Sequence, residues 1–128
     1  MAFESKNKPA APLPQSEREA IVDLLHLCLY ADAHLSLREG QFISDVVDVI
    51  GWDTNLSFSA YEQRSIAAAR AARADEKSKK EFIEYAATRL GSPASKDLAV
   101  SLCADLFSAD GTSDREAGLL MQIRALVK

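Results

Sequence analysis

The sequence predicts an all-α chain of about six helices, in which two helical hairpins related by a pseudo-two-fold axis are joined by two bridging helices. Three observations predict it. Leucine and alanine are abundant, glycines number five, and runs of β-branched residues are absent, a composition that favours helix over strand. Apolar residues recur at spacings of three and four between polar turns. One phrase is also written twice: Leu29-Tyr30-Ala31-Asp32, then Ser36 and Glu39, returns as Phe107-Ser108-Ala109-Asp110, then Ser113 and Glu116.

The first helix is expected at about 17–32, opened by a Ser16/Glu19 capping box after Pro14. Ile21, Val22, Leu24, Leu25, Leu27, Cys28 and Leu29 make it apolar nearly all round, as a helix at the centre of a bundle is. The second, about 37–50, starts at the Ser36/Glu39 capping box. It carries Phe42, Ile43, Val46, Val47 and Ile50 inward and stops at Gly51. The stretch "WDTNLSFS" is a linker. A third helix, about 60–73, opens at Ser59/Glu62 and is alanine-rich, so it is slim enough for close approach. The fourth, about 77–90, presents Phe82, Ile83, Ala86 and Leu90. The fifth, about 94–109, is apolar on most sides like the first, and the sixth, about 114–127, follows Ser113/Glu116.

The repeat extends beyond the loops. Setting Asp32 on Asp110 sets Leu24 on Leu102, Leu25 on Cys103, Cys28 on Leu106 and Leu29 on Phe107. A whole hairpin is therefore duplicated. The first and fifth helices are expected at the centre, with the third and fourth bridging.

With 128 residues there is room for one domain. Residues 1–14 read as a loose tail and 15–128 as the folded unit. The net charge of −4 argues against a dedicated nucleic-acid binder. No stretch has the roughly 20 apolar residues of a membrane span. No signal-peptide core opens the chain, and cytoplasmic is the expected location. Cys28 and Cys103 sit in apolar runs without the spacing of a zinc site and are expected as buried free thiols.

Asp32 and Asp110 each end an apolar helix. An anion there is disfavoured by the helix dipole by about 0.3–1 kcal/mol. Three things could offset this: N–H groups of the following turn, a pairing with Arg38 or Arg115, or a cation shared between carboxylates. Glu39 and Glu116 are accounted for by capping, yet each keeps a free oxygen face. Four such carboxylates brought together would suit calcium, magnesium or manganese. Neither loop has the EF-hand pattern.

The stretches "LYADAHLSLREGQFI" and "FIEYAATRLGSPASKDLAVSLCADLFSADGTSDREAGLLMQIRAL" resemble the tellurite-resistance TerB family, and also the N-terminal domain of a membrane-anchored J-domain co-chaperone. The resemblance spans about residues 17–127. It implies an all-helical repeat, a cation-binding acidic surface and a role in stress resistance, with Asp32 and Glu39 as the first acidic pair and Asp110 and Glu116 as the second. Asp and Glu are seven residues apart in the first copy and six in the second, and residue 33 is Ala where the family prefers Gly.

His26 is expected as a packed side chain and His34 as a loop residue. His34 with Asp32 could form a general acid/base pair, but no nucleophile pattern accompanies them, so no enzyme is expected. Arg64, Arg70, Arg73, Lys77, Lys79 and Lys80 form a basic stretch broken by Asp75 and Glu76, read as a solvated helix end. Trp52, Tyr61 and Tyr85 are expected to plug the core. The function expected is a non-catalytic module holding a divalent cation or a protein partner. The alternative is a ligand-free structural interaction domain in which every acidic residue of the repeat is a cap.

Overall fold

The computed structural model describes residues 13–30, 37–108 and 114–127, with the side chains of residues 37–40 and 114–115 outside that description. The six helices are α1 (Gln15–Leu29), α2 (Leu37–Ile50), α3 (Phe58–Ala72), α4 (Glu76–Arg89), α5 (Pro93–Ser108) and α6 (Asp114–Val127). The predicted fold class is the observed one. Residues 1–12 of the expected tail lie outside the described residues, and the chain enters α1 directly from Pro14.

α1 is the hub. Ala20, Ile21, Val22, Leu24, Leu25, Leu27 and Cys28 are all buried, because α2, α3, α4 and α5 each pack on it. α5 is the second axis of the bundle: Leu98, Ala99, Leu102, Cys103, Leu106 and Phe107 are buried between α1 and α6. α1 pairs with α2 and α5 with α6, and α3 and α4 bridge the two hairpins through α1 and α6. Both cysteines are free and buried.

The repeat holds down to the helix boundaries. α1 starts at 15 and α5 at 93, a separation of 78, and α2 and α6 are both 14 residues long with starts at 37 and 114, a separation of 77. The second hairpin is therefore one residue shorter between the starts of its two helices, with α5 one residue longer than α1 and the connection two residues shorter. Burial follows the same register. Leu24 and Leu102, Leu25 and Cys103, Cys28 and Leu106, Val46 and Ile123, and Ile50 and Val127 are buried in both copies. Glu17 and Ser95 occupy matching positions, and they touch: Ser95 Oγ donates to Glu17 Oε2 at 3.1 Å. Equivalent residues in contact mark where a pseudo-two-fold axis passes.

Two helix starts differ from the sequence expectation. α1 begins two residues early on Pro14, whose carbonyl accepts from the N–H groups of Glu17 and Arg18, and no side chain caps it. Ser16 is therefore inside the helix, and Glu19 instead accepts from Gln15 Nε2 at 3.3 Å. α3 is capped by Ser57, which accepts from Ala60 N–H at 3.2 Å, so Ser59 lies within the first turn. The Ser36/Glu39 and Ser113/Glu116 caps lie outside the described residues at their serines.

Gly51 ends α2 as expected, with φ of +84°, a conformation that favours glycine. A Cβ there would also sit 3.2 Å from the Arg18 guanidinium, so the turn is pinned against α1. In α3 the inward residues are small: Ser65, Ala69 and Ala72. In α4 the inward face is Ile83, Ala86 and Leu90. Tyr85 is not a core residue. It is 62% exposed because it lies a third of a turn or more from that face, and its ring is stacked under the Arg89 guanidinium at 4.2 Å.

Candidate functional site

The four predicted acidic residues are placed unequally. Asp32 and Asp110 lie outside the described residues, as does His34. Glu39 is in the first turn of α2, but its side chain is outside the description. Glu116, in the first turn of α6, is buried to 8% exposure and already engaged with its surroundings. Among the described residues no group of three or more His, Cys, Asp or Glu is arranged to hold a metal ion.

The densest polar construction is one the sequence reading missed. Asp23, on the inward side of α1, is buried and surrounded by donors. Tyr61 Oη donates to its Oδ1 at 2.8 Å, Ser65 Oγ to the same oxygen at 2.6 Å, and Arg89 Nη2 to Oδ2 at 2.7 Å. α1, α3 and α4 are thereby tied at one carboxylate. A buried ion pair repays its desolvation only when its remaining lone pairs are satisfied, and three donors on one carboxylate meet that condition. Burial works against the Arg89 charge, but Asp23, and after it Tyr61, together more than offset this and raise the guanidinium. Burial, and then the charge of Asp23, push the Tyr61 phenol upward and keep it a donor.

His26 lies one turn further along α1, 1% exposed, with Nδ1 2.8 Å from Ser65 Oγ. Since Ser65 gives its proton to Asp23, Nδ1 is the donor in this pair, and the ring is neutral with its proton on Nδ1. Burial lowers His26 to about 4 despite the neighbouring Asp23 charge. Serine, histidine and aspartate are thus in one chain of hydrogen bonds, but in the wrong order for nucleophilic catalysis. In a triad the base accepts the serine proton and the carboxylate orients the base. Here the carboxylate takes the serine proton directly, the imidazole donates, and Ser65 is buried. The arrangement locks helices together.

The signal for this network was in the sequence. Asp23 interrupts the apolar run Ile21-Val22-Asp23-Leu24-Leu25, and a carboxylate on a helix buried all round has to be paired. A second buried carboxylate follows the same rule. Glu17 Oε2 accepts from the Gly91 backbone N–H at 2.7 Å as well as from Ser95, placing its charge at the N-terminus of α5, where the helix dipole favours it.

Trp52 packs edge-on against Phe58 at 5.0 Å and beside Tyr61 at 5.4 Å. It is half-buried and covers the corner where the α2–α3 linker crosses α1. Tyr61 is half-buried beside it. The basic stretch is dispersed. Arg64 sits over the Tyr61 ring and Arg70 over Tyr30, Lys79 pairs with Glu76 at 2.6 Å, and Asp75 caps α4 through Ser78 N–H at 2.7 Å. That capping bond holds the Asp75 carboxyl below its ordinary range.

No protein-family model matches the chain. Neither does any curated protein or solved structure. Among the described residues no helix is long and apolar enough to cross a membrane.

Proposed function

We propose that this chain is a non-catalytic helical binding module of TerB-like type. It uses the acidic loops after α1 and α5 to hold a divalent cation (calcium, magnesium or manganese) or to dock a protein partner, in a cytoplasmic stress-response setting. The observation that carries this reading is the duplicated hairpin. Helix starts and buried positions repeat between α1–α2 and α5–α6, so the two Ala-Asp phrases fall between equivalent pairs of helices in the chain. A duplicated acidic loop on a duplicated frame is what the resemblance to the TerB family leads one to expect, with Asp32, Glu39, Asp110 and Glu116 as ligands. The overall acidity disfavours nucleic acid as the partner. The test is a calorimetric titration of chelator-stripped protein with calcium, magnesium and manganese. Saturable heat that is lost in both Asp32→Asn and Asp110→Asn supports the cation reading. Its absence with all three metals overturns it.

One observation favours a second reading, a ligand-free interaction domain. Glu116 is buried and engaged, as a capping glutamate is, which leaves it less available to a metal. In that case Glu116→Gln should keep most of the stability and no metal heat should be seen.

A further inference from the structure

The pseudo-symmetry exposes a difference between the two hairpins. In the first, one face of α1 is covered by the segment that follows α2. Gln15 Oε1 accepts from the Asp53 backbone N–H at 3.1 Å, the Arg18 guanidinium lies against Gly51, and Asp23 receives Tyr61 and Ser65. Val22, between these contacts, has no exposed surface. Shifted by 78 residues, Gln15, Arg18, Val22 and Asp23 become Pro93, Lys96, Val100 and Ser101. These four line an open groove of about 610 Å³ between α5 and α6. Val127, the counterpart of Ile50, forms part of its wall. Among the described residues the same surface is covered in one hairpin and left uncovered in the other, and Val100 is correspondingly only partly buried.

The groove's charge has also changed. Arg124 lines it at the position matched by Val47 in the first hairpin, and Lys96 faces it from α5. Neither side chain makes an ion pair or hydrogen bond among the described residues. Among the described lining residues Asp97 is the one acid, against the two cations Lys96 and Arg124, around an apolar floor. We propose that the α5–α6 groove is the docking site for an amphipathic helix of a partner protein, seated as residues 51–65 are seated on α1, with carboxylates directed at Lys96 and Arg124. Its size and apolar floor suit the helix-in-groove mode of recognition. A second copy of this chain is a poor occupant through its outward α3 face, because Arg64, Arg70 and Arg73 there are exposed and of like charge. The proposal concerns a surface separate from the acidic loops and does not rest on their binding a cation.

The test is selection of a displayed library of 20-residue amphipathic helices, randomised at their polar positions, against the full chain. Enriched helices are expected to carry glutamate or aspartate flanking the apolar face. Their Kd should rise at least about ten-fold against Lys96→Glu/Arg124→Glu protein. It should rise at least as much against Val100→Trp, in which the groove is filled. Binding should be unchanged against Arg64→Glu/Arg70→Glu. If Val100→Trp loses its helical circular dichroism, the charge-reversed protein, altered only at the rim, decides alone. No enrichment, or enriched helices that hold the charge-reversed protein as tightly as wild type, overturns the proposal. So does a wild-type dimer by light scattering that the charge reversal converts to monomer, since a second copy would then be the occupant.

Discussion

Asp23 is the residue on which the fold makes its largest polar commitment. Three side chains from α3 and α4 donate hydrogen bonds to it, and one of them, Arg89, is a half-buried cation with no other carboxylate partner among the described residues. Asp23→Ala should cost about 3–5 kcal/mol in urea melts, because it strands that cation together with the buried Ser65 hydroxyl and the half-buried Tyr61 hydroxyl. Replacing Asp23 and Arg89 together by apolar residues should cost less than the sum of the single changes, and a double-mutant cycle measures the difference. His26 makes a second expectation, in pH. Its folded-state value of about 4 is below the ordinary 6.5, so as pH falls the unfolded chain takes up a proton before the folded one does. The stability it confers is complete above about pH 6.5 and declines down to about 4, by about 3 kcal/mol in all. Urea melts at pH 7 and pH 4.5 check this. His26→Gln should lose less stability between the two pH values than wild type does, even if it starts lower, and equal losses would remove His26 as the cause.

At the scale of the helix, most of what the structure contains was legible and the misses share a cause. The inward faces of α2 and α4, the stop at Gly51 and the register of the repeat all follow from local periodicity, which a sequence displays directly. The starts of α1 and α3 did not. Ser-x-x-Glu occurs at both, yet Ser16 and Ser59 lie inside their helices, while the working caps are the Pro14 carbonyl and Ser57. A backbone carbonyl leaves no residue-type signal, and the serine two residues earlier competes with the one in the Ser-x-x-Glu pattern. Ser57→Ala should therefore cost about 0.5–2 kcal/mol, and Ser59→Ala close to nothing by comparison. Denaturant melts of the pair separate the two assignments. The Asp23 network was illegible in its partners for another reason. Tyr61, Ser65 and Arg89 are 38, 42 and 66 residues away, and periodicity carries no information about which distant donor meets a buried acid. The hub itself was legible: Leu25→Ala and Leu102→Ala, at fully buried positions of α1 and α5, should each cost about 2–5 kcal/mol.

At the scale of the molecule, the duplicated frame is established and the use of its loops is what remains to be measured. Glu17 and Ser95, at matching positions, bring the N-terminal ends of α1 and α5 together, and each helix then runs toward its own Ala-Asp. The copies differ by one residue in the spacing from Asp to Glu, so their carboxylates are not required to superpose, and any shared cation would be held asymmetrically. This sets the form of the stability response. A ligand that binds only the folded state stabilises by RT ln(1 + [L]/Kd), about 2.7 kcal/mol at a hundred times Kd. If Asp32 and Asp110 share a cation, millimolar calcium, magnesium or manganese should raise the melting temperature of chelator-stripped protein, and Asp110→Asn should abolish the rise. The same substitution should leave the metal-free protein as stable or slightly more so, since it removes one like charge from an acidic pair. If the aspartates instead accept N–H groups of the loops, Asp110→Asn keeps an acceptor oxygen, and wild type and variant should melt with the same small offset in every metal and in chelator. The two readings thus part in the difference between metal and chelator rather than in the melting temperature itself. A wild-type melt that is indifferent to all three cations removes the metal and leaves the caps.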